Sequence, residues 1–238
     1  MRELDSTLIP LWCRARCAVE YPALGVGAGD AETLRRLRGA DFSLARRADC
    51  TLYALRERLM LDAAEAFLAR HPGAALVDLG CGLDSLLRRV RGECSRRVFV
   101  DLPEIMELRR ELLPPRPDES FFVADLRSGD FFERFSAPEG AFFVLSGLLC
   151  HLERPLVISL MSRMARAFPG CGLAFDGLGL AASPLHPLPD DKTLESLFPR
   201  GFQHIRRLPE PFPLPLAKRL KLSALLGLGQ LKFCIAYT

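Results

Sequence analysis

The sequence predicts an α/β fold: a doubly wound, seven-stranded, mostly parallel sheet with an antiparallel last strand and a small N-terminal helical addition. Three observations carry this. Five short apolar runs alternate with helical patterns between residues 75 and 176, a glycine turn follows the first run, and two more strand-like runs close the chain. Strands alternating with helices at this spacing imply parallel crossover units. The 238 residues, 49% hydrophobic and 26% charged, suit one α/β domain with an addition. The expected division is a helical cap region at 1–50 and a ligand-binding domain at 51–238.

The elements follow in order. Residues 4–19 read as a helix, Gly25, Gly27 and Gly29 as a loop, and 31–38 as a short helix. Over 52–70, Leu52, Leu55, Leu59, Ala63, Ala66 and Phe67 recur at three- and four-residue spacing, and His71-Pro72-Gly73 stops that helix. Ala75-Leu76-Val77-Asp78-Leu79 is short, apolar and bounded by Gly80, which predicts a buried strand. A helix over 83–90 is expected after the glycine turn. Further strands are read at 97–101, 121–125, 142–146 and 173–176. Between them lie a helix at 103–113 with Pro103 in its first turn and a helix at 154–168 closed by Pro169-Gly170. The runs 204–208 and 233–237 read as an antiparallel pair. Between these two, 216–228 sets Lys218, Arg219 and Lys221 among leucines, which favours a helix packed on the sheet or over a substrate pocket above a membrane-surface helix.

Composition excludes several classes. A net charge of +3 with no run of five basic residues argues against a nucleic-acid partner. The eight cysteines include no CxxC pair, and Cys13 and Cys17 have no matching Cys/His pair downstream. No metal site is expected, and a reducing cytoplasm is the expected compartment. The start lacks a basic segment followed by an apolar run, and no stretch of ~18 apolar residues occurs, so neither a signal peptide nor a membrane span is expected. No Ser-His-Asp order or paired-carboxylate spacing favours hydrolysis.

The chemistry gathers at strand ends. Gly80-Cys81-Gly82, entered through Asp78, lets the backbone turn sharply and approach a ligand. Such a loop fits a dinucleotide as well as S-adenosylmethionine. Ser85 in place of a third glycine tilts against the dinucleotide. Asp101 ends the second strand about 20 residues beyond the glycines, where a carboxylate accepts hydrogen bonds from ribose hydroxyls. Asp125, followed by Leu126, is placed to bond an adenine amino group while the next backbone N–H meets a ring nitrogen. Two acids at successive strand ends beside one glycine loop match S-adenosylmethionine better than a nicotinamide cofactor.

At these residues the chain resembles the leucine carboxyl methyltransferase family, in particular its bacterial and fungal tetracenomycin-type O-methyltransferase branch. The resemblance runs through Ile9-Pro10-Leu11-Trp12, Arg14-Ala15, Asp41-Phe42-Ser43, Arg56-Glu57-Arg58 and Phe67 to Pro72. Its most specific piece is Gly80-Cys81-Gly82-Leu83-Asp84-Ser85. Asp101-Leu102-Pro103-Glu104-Ile105 with Leu108-Arg109, Arg166 to Gly170 and Phe175-Asp176 follow. The resemblance implies a class I methyltransferase fold, Rossmann-like, with S-adenosylmethionine as cofactor and a small-molecule acceptor methylated on a carboxylate or hydroxyl oxygen. It implies that Arg56 or Arg58 reaches the cofactor carboxylate, Arg56 being favoured. It extends the cofactor site to Asp84, Leu102 and Ser146. The chain departs from the family at Ser146, where a Glu is usual, and at His151, where a Tyr is usual. His151 is the candidate general base, because an imidazole titrates near neutrality. The Ser146 departure also raises an alternative, a catalytically decayed binding or scaffold protein.

Overall fold

Five parallel strands form the body of the computed structural model, which describes residues 3–37, 42, 50–128, 130–176, 204–207 and 233–237. They are β1 (Ala75–Leu79), β2 (Arg97–Asp101), β3 (Glu119–Val123), β4 (Ala141–Leu145) and β5 (Gly172–Asp176). Their order is β3-β2-β1-β4-β5, and each neighbouring pair is parallel. Beyond β5, the backbone of β7 (Phe233–Tyr237) pairs antiparallel with it, and β6 (His204–Arg207) pairs antiparallel with β7.

The strands are apolar because helices cover both faces of the sheet. Alternation along each strand sorts the side chains. Leu76, Phe99, Phe142 and Ala174 face one core with α3 (Cys50–Leu68) and the cysteines of α1 (Glu3–Glu20). Val77, Val98, Phe143 and Leu173 face the other, with α5 (Asp130–Arg134) and α6 (Arg154–Ala167). Phe67 of α3 lies 5.1 Å from Phe142, and Phe131 of α5 stacks on Phe135 at 5.2 Å. The N-terminal helices share the first core with the sheet. α1 packs on both α3 and α2 (Asp30–Arg36), and Phe42 stacks on Trp12 at 5.2 Å. α4 (Pro103–Leu112) follows β2 and sends Met106 into that same core.

The structure departs from these expectations at several points. No α-helix follows the glycine turn at 83–90; only a 3-10 turn forms, over Leu86–Arg89. The Asp84 carboxylate accepts the Leu86 N–H at 2.6 Å, and this local two-residue turn competes with a helical start. β3 ends at Val123, so Asp125 lies two residues beyond the strand instead of closing it. α5 was not anticipated, since five residues are too few to show a helical period. In α3, Ala66 is exposed while Leu55, Ala63 and Phe67 are buried. The expected helix at 216–228 lies outside the described residues.

Candidate functional site

Strand order reverses at β1, which lies between β2 and β4, and open α/β sheets bind ligands outside the carboxyl ends of strands at such a point. β1, β2, β4 and β5 bring Asp78, Asp101, the Ser146-Gly147 turn and Asp176 to this edge. Gly80 leaves β1 with its N–H bonded to the Val100 carbonyl at 2.8 Å and its Cα against Leu148. Gly82 has φ +50°, and a Cβ there would lie 3.1 Å from Thr7 of α1, so the N-terminal helix closes over the loop. The Cys81 thiol turns inward, 3.8 Å from the Met106 sulfur, and burial pushes its pKa up.

Asp101 organises the loop. One carboxylate oxygen accepts the Gly82 N–H at 2.7 Å, and the other accepts the Leu102 N–H at 2.8 Å at the start of α4. Asp78 sits beneath, 1% exposed, and neither carboxylate oxygen has a hydrogen-bond partner among the described residues. Burial first, and then the nearby Asp84 carboxylate, hold its acid well above the usual carboxylate range; Arg109 opposes them. A buried carboxyl without a hydrogen-bond partner is costly.

The two helical arginines part company. Arg56 is buried and points at the strand ends, its Nη1 3.9 Å from Asp176 and its guanidinium 5.0 Å above the Tyr53 ring. A Cβ on Gly147, whose φ is +70°, would come within 2.9 Å of that guanidinium, so only glycine admits the approach. The Gly147 N–H in turn donates to Asp176 at 2.7 Å. Arg58 lies along α3 and bonds Asp62. Ser146 is half-buried beside Gly147, and His151 is exposed in the short turn that follows.

Two other expected cofactor residues have partners within the chain. The Asp84 carboxylate meets Arg14 of α1 at 3.2 Å as well as the Leu86 N–H. Asp125 accepts the Arg127 side chain through both oxygens at 2.8 Å and the Arg127 N–H at 2.9 Å. These bonds hold its pKa below the usual range. Leu126 buries its side chain in the core under α5 and α6.

Sequence reasoning missed a buried ion network between the cap and the glycine loop. Arg14 reaches Asp30 at 2.7 Å, Asp84 at 3.2 Å and Glu57 at 3.7 Å. Ser85 donates to Asp30 at 2.8 Å, and Arg89 contacts both Ser85 and Glu57. Burial would lower the Arg14 pKa, but Asp84 and Asp30 outweigh it and hold the guanidinium more firmly protonated than an ordinary arginine. Burial dominates at Arg89 and lowers it to about 10. Asp176 and Arg109 belong to the segments that carry the resemblance but were not assigned to the site. Both left a readable signal: Asp176 ends an apolar strand as Asp101 does, and Arg109 occupies a position on the apolar face of α4 with Ile105, Met106 and Leu112. Among the described residues, no cluster of metal-ligating side chains occurs, and no helix is long and apolar enough to cross a membrane.

Comparison with known proteins identifies this architecture. The sequence model for leucine carboxyl methyltransferase matches residues 28–165. The tetracenomycin polyketide synthesis O-methyltransferase TcmP of Streptomyces glaucescens is 31% identical over 156 residues, covering 64% of this chain and 58% of that protein. The S-adenosyl-L-methionine-dependent methyltransferase dpfgK of Gibberella zeae is 25% identical over 186 residues, covering 71% and 62%. The chain therefore spans about three fifths of the length of these relatives. Among solved structures, the N-methyltransferase NodS of Bradyrhizobium japonicum WM9, in complex with S-adenosyl-L-homocysteine, superposes with a TM-score of 0.54. The two share 13% identity, over 87% of this chain and 97% of NodS, which is evidence of a shared fold alone. With its glycine turn, its strand-end carboxylates and this match over more than half its length, the chain belongs to the leucine carboxyl methyltransferase family.

Proposed function

We propose that the chain is an S-adenosylmethionine-dependent methyltransferase acting on an oxygen, carboxylate or hydroxyl, of a small-molecule acceptor. The observation that carries the reading is the unpaired, buried Asp78 carboxyl beneath a glycine turn whose N–H is held by Asp101. The residues present fit the cofactor. Asp78 offers a buried carboxyl that a cationic ligand beside it would ionise, and Gly82 and Gly147 supply the positive φ that the turns at the strand ends require. Arg56 offers a guanidinium to a carboxylate, and Asp101, at the end of β2 beside the glycine turn, offers a carboxylate to ribose hydroxyls. Asp125 is the weaker candidate, since an adenine amino group there competes with Arg127.

When bound, S-adenosylmethionine supplies an electrophilic methyl group on a sulfonium sulfur. The chain's task is chiefly to hold the reacting atoms in line. A carboxylate acceptor needs no base. A hydroxyl acceptor releases a proton, and His151, exposed after β4, is the group proposed to take it.

Titration calorimetry with S-adenosylmethionine and S-adenosylhomocysteine tests the reading. Saturable heat with both ligands is expected. No heat at high protein concentration removes the methyltransferase assignment. A second reading, a protein that binds the cofactor without transferring methyl, is favoured by Ser146 in place of the family's Glu and by the engagement of Asp125 with Arg127. Binding with no transfer to any carboxylate or phenolic acceptor would select it.

A further inference from the structure

We infer that Arg109 of α4 is a positioning residue for the glycine loop, orienting the Gly82–Leu83 peptide from inside the protein. The inference rests on the proposed cofactor site and adds a residue to its machinery. Arg109 is 0% exposed, yet it carries a charge that in water would be fully hydrated. Its Nη1 donates to the Gly82 carbonyl at 2.9 Å. Its guanidinium lies 3.9 Å above the Phe99 ring of β2 and 5.3 Å from the Phe121 ring of β3. Nε and Nη2 have no hydrogen-bond partner among the described residues. A buried guanidinium with two idle donors is a poor device for stability alone. Leucine or methionine would fill the same place at lower desolvation cost.

The geometry explains what the charge does. Gly82 is held at both of its peptide groups: Asp101 accepts its N–H at 2.7 Å, and Arg109 binds its carbonyl. In a planar trans peptide the carbonyl and the following N–H point in opposite directions. Drawing the Gly82 carbonyl inward to Arg109 therefore turns the Leu83 N–H away from Arg109. On the other side of the loop, Arg14 reaches the Leu83 carbonyl at 3.5 Å and Asp84 at 3.2 Å. Two buried arginines from separate helices thus hold consecutive residues of one loop. The aromatic rings fix the Arg109 plane, since a guanidinium over a ring face is attracted to it.

The test uses Arg109→Met and Arg109→Lys in the full chain with two readouts. The first is the dissociation constant for S-adenosylhomocysteine by calorimetry. The Met variant is expected to bind about tenfold or more weakly, the scale of one lost hydrogen bond to a charged group, and Lys to recover part of that loss. The second is hydrogen exchange of the ligand-free proteins, which needs no cofactor. Amides at 82–84 are expected to exchange faster in both variants while β1 and β2 amides keep wild-type rates. If Arg109→Met does not fold, Arg109→Lys, which keeps the charge and loses the flat fork, carries both readouts. Wild-type affinity together with wild-type exchange at 82–84 overturns the inference. Equal loss in Met and Lys, with exchange accelerated throughout the sheet, also overturns it, as a general structural effect. Absence of ligand binding by the wild-type protein refutes the cofactor reading instead, and the exchange readout still decides the role of Arg109.

Discussion

Arg14→Met should be one of the most damaging single substitutions in the chain. The Arg14 side chain is 3% exposed and faces the carboxylates of Asp30, Asp84 and Glu57, all of them buried. Methionine fills the space but strands those charges. Removing one partner of a buried ionic group costs about 3–5 kcal/mol, because the remaining charge stays desolvated. In a chain of this size each kcal/mol moves the melting temperature by about 2–4 °C, so a fall of roughly 6–20 °C is expected. Thermal melts followed by circular dichroism measure it. A double-mutant cycle with Asp84→Asn isolates the pair, and the two losses should fall short of additivity by about 1 kcal/mol or more. If Arg14→Met melted within about 2 °C of the wild type, or the cycle were additive, the network would not couple cap to loop as argued.

Three other predictions concern the site. Asp101→Ala removes the acceptor of the Gly82 and Leu102 N–H groups, and should weaken S-adenosylhomocysteine binding by about 1.5–3 kcal/mol, roughly 10- to 150-fold; an unchanged dissociation constant takes Asp101 out of the site. Gly82→Val forces a side chain onto a φ of +50° and against Thr7, so a folded variant should lose nearly all affinity, and normal binding would refute the placement of the loop. Asp78 gives a pH dependence whose sign follows from its raised pKa. The folded chain keeps a proton that the unfolded chain releases, so the associated stability is complete below the ordinary Asp value of about 3.9 and is lost as pH rises toward the folded value. The ligand-free protein should therefore lose stability across that window in denaturant titrations, and Asp78→Asn should flatten the profile. Parallel profiles for the two proteins contradict the burial argument.

What the sequence by itself determined was the local part of this protein. The five apolar runs became parallel strands, because strands covered on both faces must be apolar throughout. The glycine turn after β1 and Asp101 at the end of β2 were legible because turn chemistry and strand ends depend on neighbours in the chain. Only the tertiary structure decided which charges had partners. Arg56 and Arg58, two residues apart on one helix, differ by about 200° around its axis, so one enters the sheet edge and the other runs along the surface to Asp62. Asp84 reads like a ligand residue of the glycine loop, but its carboxylate meets Arg14, 70 positions earlier, on the helix that closes over that loop. The apolar face of α4 shows that Arg109 turns inward, but only the fold sets the Phe99 and Phe121 rings of β2 and β3 against it. Periodicity shows which face of an element turns inward. It carries no information on which opposite charge arrives from a distant segment, and that long-range pairing decides whether a buried carboxylate is satisfied within the chain, like Asp84, or left without a hydrogen-bond partner among the described residues, like Asp78.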